Sequence, residues 1–421
     1  MTAMDTVVDV GWCQALRTLL DRAHLVTPSG LAALVAEAAG PLGLRPTIWL
    51  IDYEQTSLHA MPVAGRETPG PIPVDGSLPG RAFASVVSLY VGGSGTQAGR
   101  WWVPVVNGTE RFGLIEFTPV DGTDGQGRDF VTRCELLAGL VGHLLGTIMT
   151  GGDGIEQLRR TRPMSVAAEL LWRQLPPLTS STEAAVVTAI LQPCYDVGGD
   201  GFDYVLENTG ACLLVLDAMG RGLGAGLACA VALAAIRATR RAGRGLYDQA
   251  RAADAALLDQ FQDARFATAV LAELDLETGR LRYVNAGHPA PLLLRGGRLV
   301  RQLSDGRRMP LGVDDPSVEV AEESLEPGDR LLLYTDGVTE ARADGGERFG
   351  VDRLVDLTER HAGSGLPAPE TLRRLAHTVT AHQGGPPADD ATLMLVEWSA
   401  TASHRTVPGA RQVIRDDEGR S

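Results

Sequence analysis

In the second half of the chain, apolar strand-like runs repeatedly begin or end on aspartate. The stretch VGGDGFDYVLENTGACLLVLDAMGRG, from Val197 to Gly222, puts Asp200 ahead of one run and Asp217 at the close of the next. LLLYTDG closes on Asp336, and DDATLMLVEW opens on Asp389 and Asp390. Gly and Asp are ordinary turn residues, so any one of these placements is unremarkable. Four of them on strands that share a core point to carboxylates converging at one rim. Clustered carboxylates repel, and each resists ionisation unless a cation neutralises the group. Oxygen donors with no paired His or Cys nearby favour Mg2+ or Mn2+ over Zn2+.

Strands are expected on both sides of this pattern. AVVTAILQP and ACLLVLDAMG read as strands, TAVLAELDLETGRLRYVNAGH as a hairpin around Glu277-Thr278-Gly279, and PLLLRGGRLVRQL as a second around Gly296-Gly297. GLGAGLACAVALAAIRATRRA reads as a helix packed through small residues. In the first half, Trp12, Leu16, Leu19 and Leu20 recur at helical spacing, and a second helix is expected over Gly30 to Ala39. PTIWLIDY reads as a strand, and RWWVPVVNGTERFGLIEF as two strands around Asn107-Gly108. The apolar positions from Asp129 to Met149 form one stripe of a long helix.

The joint between the halves is TGGDG, followed by IEQLRRTRPMSVAAELLWRQLPPL, which stops at Pro176-Pro177. Leu170, Leu171, Trp172 and Leu175 give this linker helix an apolar face that soluble proteins cover. Two covers are open: the chain's own domain, or the same helix of a second copy in a homodimer. The net charge of −14 opposes binding to a phosphate backbone, so no nucleic-acid partner is expected. Five scattered cysteines, none spaced C-x-x-C, argue against a disulfide framework and a zinc site, and fit a reducing cytoplasm. The N-terminus carries acid rather than a basic, signal-like segment, and no apolar run approaches the ~20 residues of a bilayer crossing. We therefore expect no membrane partner.

VGGDGFD, LDAMGRG, VNAGHPAP, LLLYTDGVTEA and ADDAT occur in the order found in metal-dependent (PPM, type 2C-like) protein phosphatases. They resemble in particular the branch of stage II sporulation protein E and the stress-response phosphatases. The resemblance implies an α+β fold, with a C-terminal αββα sandwich of two antiparallel sheets over residues 181–399 and two Mn2+ or Mg2+ ions at one end. It makes Asp200, Asp217, Asp336 and Asp389 the catalytic metal ligands, with Asp390 and the backbone carbonyl of Ala218 as further ligands. The first half, residues 10–150, resembles a GAF sensory domain, with SLPGRAF beside its pocket. Residues 151–180 would form the linker helix, and 400–421 a disordered tail.

The implied reaction is hydrolysis of phosphoserine or phosphothreonine by a metal-activated water, without a protein nucleophile. The implied substrate is an anti-sigma-factor antagonist, under control of the first half. The absence of a P-loop and of a placed cysteine agrees with this. A catalytically weak or silent partner-binding module is the rival, as is an enzyme acting on a small phosphorylated molecule. Arg221 stands where many relatives have His, and faces either phosphate or solvent. Asp203 reads as a turn residue or a metal neighbour, His288 as a structural residue or a proton donor, and Asn285 as holding its own loop.

Overall fold

The structure, a computed structural model, describes residues 3–93, 99–120, 128–196, 198–263, 265–317, 319–363, 365–383 and 389–414. The chain forms two compact units, one of Met1–Thr161 with Val407–Ser421, the other of Arg162–Thr406.

In the first unit, β1 (Leu44–Ile51), β2 (Ser57–Ala60), β3 (Ile72–Pro73), β4 (Val87–Val91), β5 (Arg100–Asn107) and β6 (Glu110–Pro119) lie in the order β4-β5-β6-β1-β2-β3. The β5–β6 hairpin closes between paired Asn107 and Glu110, and Gly108 supplies the positive φ, 59°, that its tight turn requires. Helices α1 (Ala3–Arg22), α2 (Leu31–Ala39) and α4 (Arg128–Ile148) share one apolar cluster with the sheet, through Leu19, Leu31, Val35, Leu137 and Val141. Helix α3 (Leu78–Ser85), capped by Ser77 of SLPGRAF and containing its other residues, buries Ala82 and Phe83 in a separate cluster with Trp49 and Trp102.

Two expectations fail here for identifiable reasons. The tail is not wholly structureless: Ser403–Arg405 form a 3-10 turn, and Ala410–Ile414 add a strand in parallel register to β4. That pairing gives the backbone groups of the β4 edge their partners. Residues 415–421 of the expected tail lie outside the described residues. The linker is not one helix either. Helix α5 (Gly154–Arg159) ends before Arg160, and α6 (Val166–Trp172) begins after a Ser165 side chain that accepts from the Ala168 amide at 3.1 Å. Ile155 packs into the first unit's core, whereas Ala168 and Leu171 are fully buried in the second's. The Trp172 indole donates to the Cys194 carbonyl at 2.7 Å. Leu171 is thus buried in its own unit's core, and Trp172 and Leu175 pack against that core, which covers most of the apolar face of residues 170–175.

The second unit is a sandwich. One sheet runs β9 (Asp200–Leu206), β10 (Gly210–Ala218), β11 (Ala267–Asp275), β12 (Arg280–Ala286), with the short β15 (Arg307–Arg308) and β16 (Ala321–Ser324) beside β12. The other runs β14 (Arg298–Gln302), β13 (Leu292–Arg295), β17 (Arg330–Tyr334), β18 (Ala391–Trp398), β8 (Ala185–Gln192), β7 (Thr179–Ser181). All pairings are antiparallel except the two-residue β12–β15 pair. Residues of both sheets meet in one core through Phe202, Leu213, Val215, Leu333, Met394 and Val396. Helices α7 (Leu223–Arg241) and α8 (Leu246–Gln260) cover the first sheet, and α10 (Val351–Ala362) and α11 (Ala368–Gln383) the second. The αββα layering is as expected.

Small residues set the spacing of these layers. A methyl group on Gly201 would lie 2.5 Å from the Cys229 sulfur, so glycine there lets α7 seat against β9. Helices α4 and α7 both lie in stretches long and apolar enough to cross a membrane, yet here each packs on a sheet.

Candidate active site

Strand register brings the aspartates together. Asp200 and Asp217 are direct cross-strand partners at one end of the first sheet, and on adjacent antiparallel strands such partners share a face. In the second sheet, Tyr334 pairs with Leu393, which carries the chain past Thr335 to Asp336 beside the segment that enters β18 from Asp389 and Asp390. Asp336 is not the last residue of β17, as the sequence suggests. The strand ends at Tyr334, and Asp336 opens the short helix α9 (Asp336–Glu340), exposed to solvent.

Hydrogen bonds close the rim between the two sheets. The buried Asp200 carboxylate accepts the hydroxyls of Thr335 and Thr392, each at 2.7 Å, on one oxygen, Oδ2. The buried Asp390 accepts three main-chain amides on its Oδ2, from Gly198 at 2.6 Å, Gly199 at 2.7 Å and Asp200 at 3.2 Å. Ala218 donates its amide to the Gly199 carbonyl at 3.1 Å, and a methyl group on Gly199 would lie 2.4 Å from the Ala218 carbonyl oxygen. The amides of Gly198 and Gly199 thus hold Asp390, and glycine is needed at 199 because a side chain there would meet the Ala218 carbonyl.

The carboxylates act on one another. Burial pushes the Asp217 carboxyl up to about 7, reinforced by Asp336, Asp389 and Asp390, and no cation figures among the causes. Asp200 is also held well above the carboxylate range, by burial and then by Asp217 and Asp390. Asp336, exposed on one side, is raised by the partial burial of its other side and then by Asp389. Asp390 is raised by burial against the lowering pull of its three amides. Like charge gathered with so little compensation is unfavourable for the bare protein and favourable for a hard cation.

Among the described residues, no three His, Cys, Asp or Glu side chains close around a single point. The donor set nevertheless suits divalent oxygen-seeking ions. It offers carboxylates from both sheets, with Asp200 and Asp390 already fixed through one oxygen each.

Other sequence candidates separate. Asp203 points to the opposite face of β9 from Asp200 and is paired with Arg237 at 2.7 Å and Arg240 at 2.8 Å, so it anchors α7. His288 is buried; its Nδ1 lies 2.7 Å from the Thr268 hydroxyl, and Thr268 is the cross-strand partner of Asp217. Burial pushes the imidazole down to about 3, so it is neutral at physiological pH and is no proton donor there. Asn285 accepts the His288 amide at 2.8 Å, holding its own loop. Arg221 is exposed, without an ion pair among the described residues.

Sequence reasoning missed Thr335 and Thr392, although Thr335 adjoins Asp336 in YTDG and Thr392 lies two positions after Asp390 in DDAT. Ala388 of ADDAT lies outside the described residues.

Residues 207–399 match the family model described as Stage II sporulation protein E (SpoIIE), a span that begins after Asp200 and includes the other four aspartates. The phosphoserine phosphatase RsbP of Bacillus subtilis (strain 168) is 28% identical over 218 residues, covering 48% of this chain and 49% of RsbP. The phosphoserine phosphatase RsbU of the same organism is 23% identical over 246 residues, covering 58% of this chain and 72% of RsbU. Among solved structures, the SiaA-PP2C domain of Pseudomonas aeruginosa is 27% identical, covering 51% of this chain and 86% of that one, with a TM-score of 0.45. The chain spans between 36% and 72% of the length of the first curated relatives.

Proposed function

We propose that the second unit, a SpoIIE-family phosphatase domain of the PP2C type, hydrolyses phosphoserine or phosphothreonine in a protein, and that the first unit regulates it. The observation that carries this reading is the row of Asp200 and Asp217 across β9–β10, facing Asp336, Asp389 and Asp390 from the other sheet. Divalent cations, Mn2+ or Mg2+, would be held by these five carboxylates and the Ala218 carbonyl, and would supply the Lewis acidity that makes water a nucleophile toward phosphorus.

The chain's own residues do the rest. Thr335 and Thr392 orient Asp200, and the Gly198, Gly199 and Asp200 amides orient Asp390, so the donors are fixed before any substrate arrives. His288 holds Thr268 beside Asp217 without exchanging a proton. The attacking group is water, since no Ser or Cys nucleophile with an adjacent base stands at this rim among the described residues.

RsbP and RsbU are named phosphoserine phosphatases, which favours phosphoserine as the group hydrolysed. We take an anti-sigma-factor antagonist, in the cytoplasm, as the substrate to test first.

The test is turnover of a phosphoserine peptide by the full chain with Mn2+, with Mg2+ and after chelation, beside p-nitrophenyl phosphate. Metal-dependent release of phosphate from the peptide is expected. Activity that survives exhaustive chelation, or a protein inert with both ions, would overturn the reading.

A further inference from the structure

We propose that Arg265 grips the phosphoryl oxygens of the substrate; this rests on the phosphatase reading and names the residue that recognises the phosphate. Arg265 lies two positions ahead of Ala267, which pairs with Ala218, and the intervening Phe266 carbonyl accepts the Met219 amide at 3.0 Å. The register thus places Arg265 where the strand bearing Asp217 turns out of the sheet.

Its guanidinium is seated over the loop that follows. A methyl group on Gly224 would stand 3.2 Å from Nη1 and 3.3 Å from Nη2, and one on Gly220 would stand 3.9 Å from Nη1. The side chain is 25% exposed, and its Nε donates to the exposed carboxylate of Asp263 at 3.0 Å. That leaves both terminal nitrogens without a partner among the described residues.

This is a guanidinium oriented from one side and open on the other. Its planar pair of N–H donors matches two oxygens of a phosphate, a geometry that a lysine does not reproduce. Neighbouring arginines of the unit are committed elsewhere: Arg237 and Arg240 to Asp203, and Arg308 to the buried Asp254. Arg221, four positions after Asp217, is exposed and has no hydrogen bond or ion pair to orient it among the described residues. A phosphate lying between Arg265 and cations held by the carboxylate row would be drawn from both ends.

The experiment uses the full chain, as wild type, Arg265→Ala, Arg265→Lys and Arg221→Ala. Steady-state turnover of a phosphoserine peptide with Mn2+ is measured, together with inhibition and calorimetric binding of inorganic phosphate. Arg265→Ala is expected to raise KM and the phosphate inhibition constant by at least about tenfold, the range of a lost charge-assisted bidentate contact. Its Mn2+ titration, followed by thermal shift, should match wild type, which excludes general damage to the rim. Arg265→Lys should recover only part of the loss, and Arg221→Ala should stay within about twofold on both constants.

Unchanged phosphate binding in Arg265→Ala, or a loss found in Arg221→Ala instead, would overturn the assignment. So would a loss in Arg265→Ala accompanied by weakened Mn2+ binding. A wild type that binds phosphate through Arg265 but turns over no phosphopeptide would sink the phosphatase reading and leave this assignment standing.

Discussion

Asp217 is the residue on which the site's electrostatics turn. Its carboxyl titrates near 7 in the folded chain because it is buried and faces three other carboxylates. A carboxyl whose folded pKa is raised binds protons more tightly folded than unfolded. The stability this contributes is present below the usual carboxylate range and is lost as pH rises toward about 7. The metal-free protein should therefore lose thermal stability between pH 5 and 8, and added Mn2+ should restore it most above pH 7, where protons no longer compete. Melting curves at several pH values with and without Mn2+ check this; a metal-free protein that gains stability over that range would contradict it. Asp217→Asn removes the charge but keeps the shape. We expect more than about 100-fold loss of turnover, a ligand being worth at least what its supporting contacts are. The same variant should melt higher than wild type in chelator, because the repulsion is relieved, and a lower melting point would show that Asp217 has another structural task.

At the scale of elements, α6 and α7 are seated by different means. Leu171 on α6 is fully buried in the second unit's core, and the Trp172 indole is bonded to Cys194. Leu171→Ala should cost about 2–5 kcal/mol of unfolding free energy, the range for emptying a buried leucine site. It should leave the molar mass by light scattering unchanged. A shift of mass with little loss of stability would return this face to an intermolecular role. Helix α7 is held to β9 by close approach at Gly201 and by Arg237 and Arg240 on Asp203. Asp203→Asn should lower stability and leave Mn2+ affinity within about twofold, because its carboxylate serves the face away from the metal row. Loss of Mn2+ binding with the fold intact would place Asp203 at the metal after all.

The whole molecule is two units joined at two points of the chain, near Thr161 and near Thr406, since the last strand returns to the first unit's sheet. A fragment of residues 162–406 contains both sheets, α6 and all five aspartates, and should fold and bind Mn2+ alone. A fragment beginning at Ala184 omits Leu171 and Trp172 and should be the less stable of the two in urea. If both unfold at the same urea concentration, α6 belongs to neither core. Removal of residues 407–421 should lower the melting of the first unit by exposing the β4 edge, with the second unit's transition unmoved.

Alternating apolar and polar residues, turn glycines and repeated strand-end aspartates determined where the strands run and where the five carboxylates fall on them, whereas the sandwich was expected from the order of the motifs. Periodicity and turn chemistry are local, and a carboxylate at a strand end is visible without coordinates. What lies between distant segments was decided only by tertiary structure. Asp203 resembles Asp200 in sequence, yet the strand's alternation turns it to a helix whose arginines lie more than thirty positions away. Thr335 and Thr392 acquire meaning only because β17 and β18 pair in a register that aims both hydroxyls at Asp200. The apolar face at Leu171 demanded burial, but an apolar stripe carries no record of which surface covers it, and in the folded chain Leu171 is buried within its own unit, where α6 lies against α7.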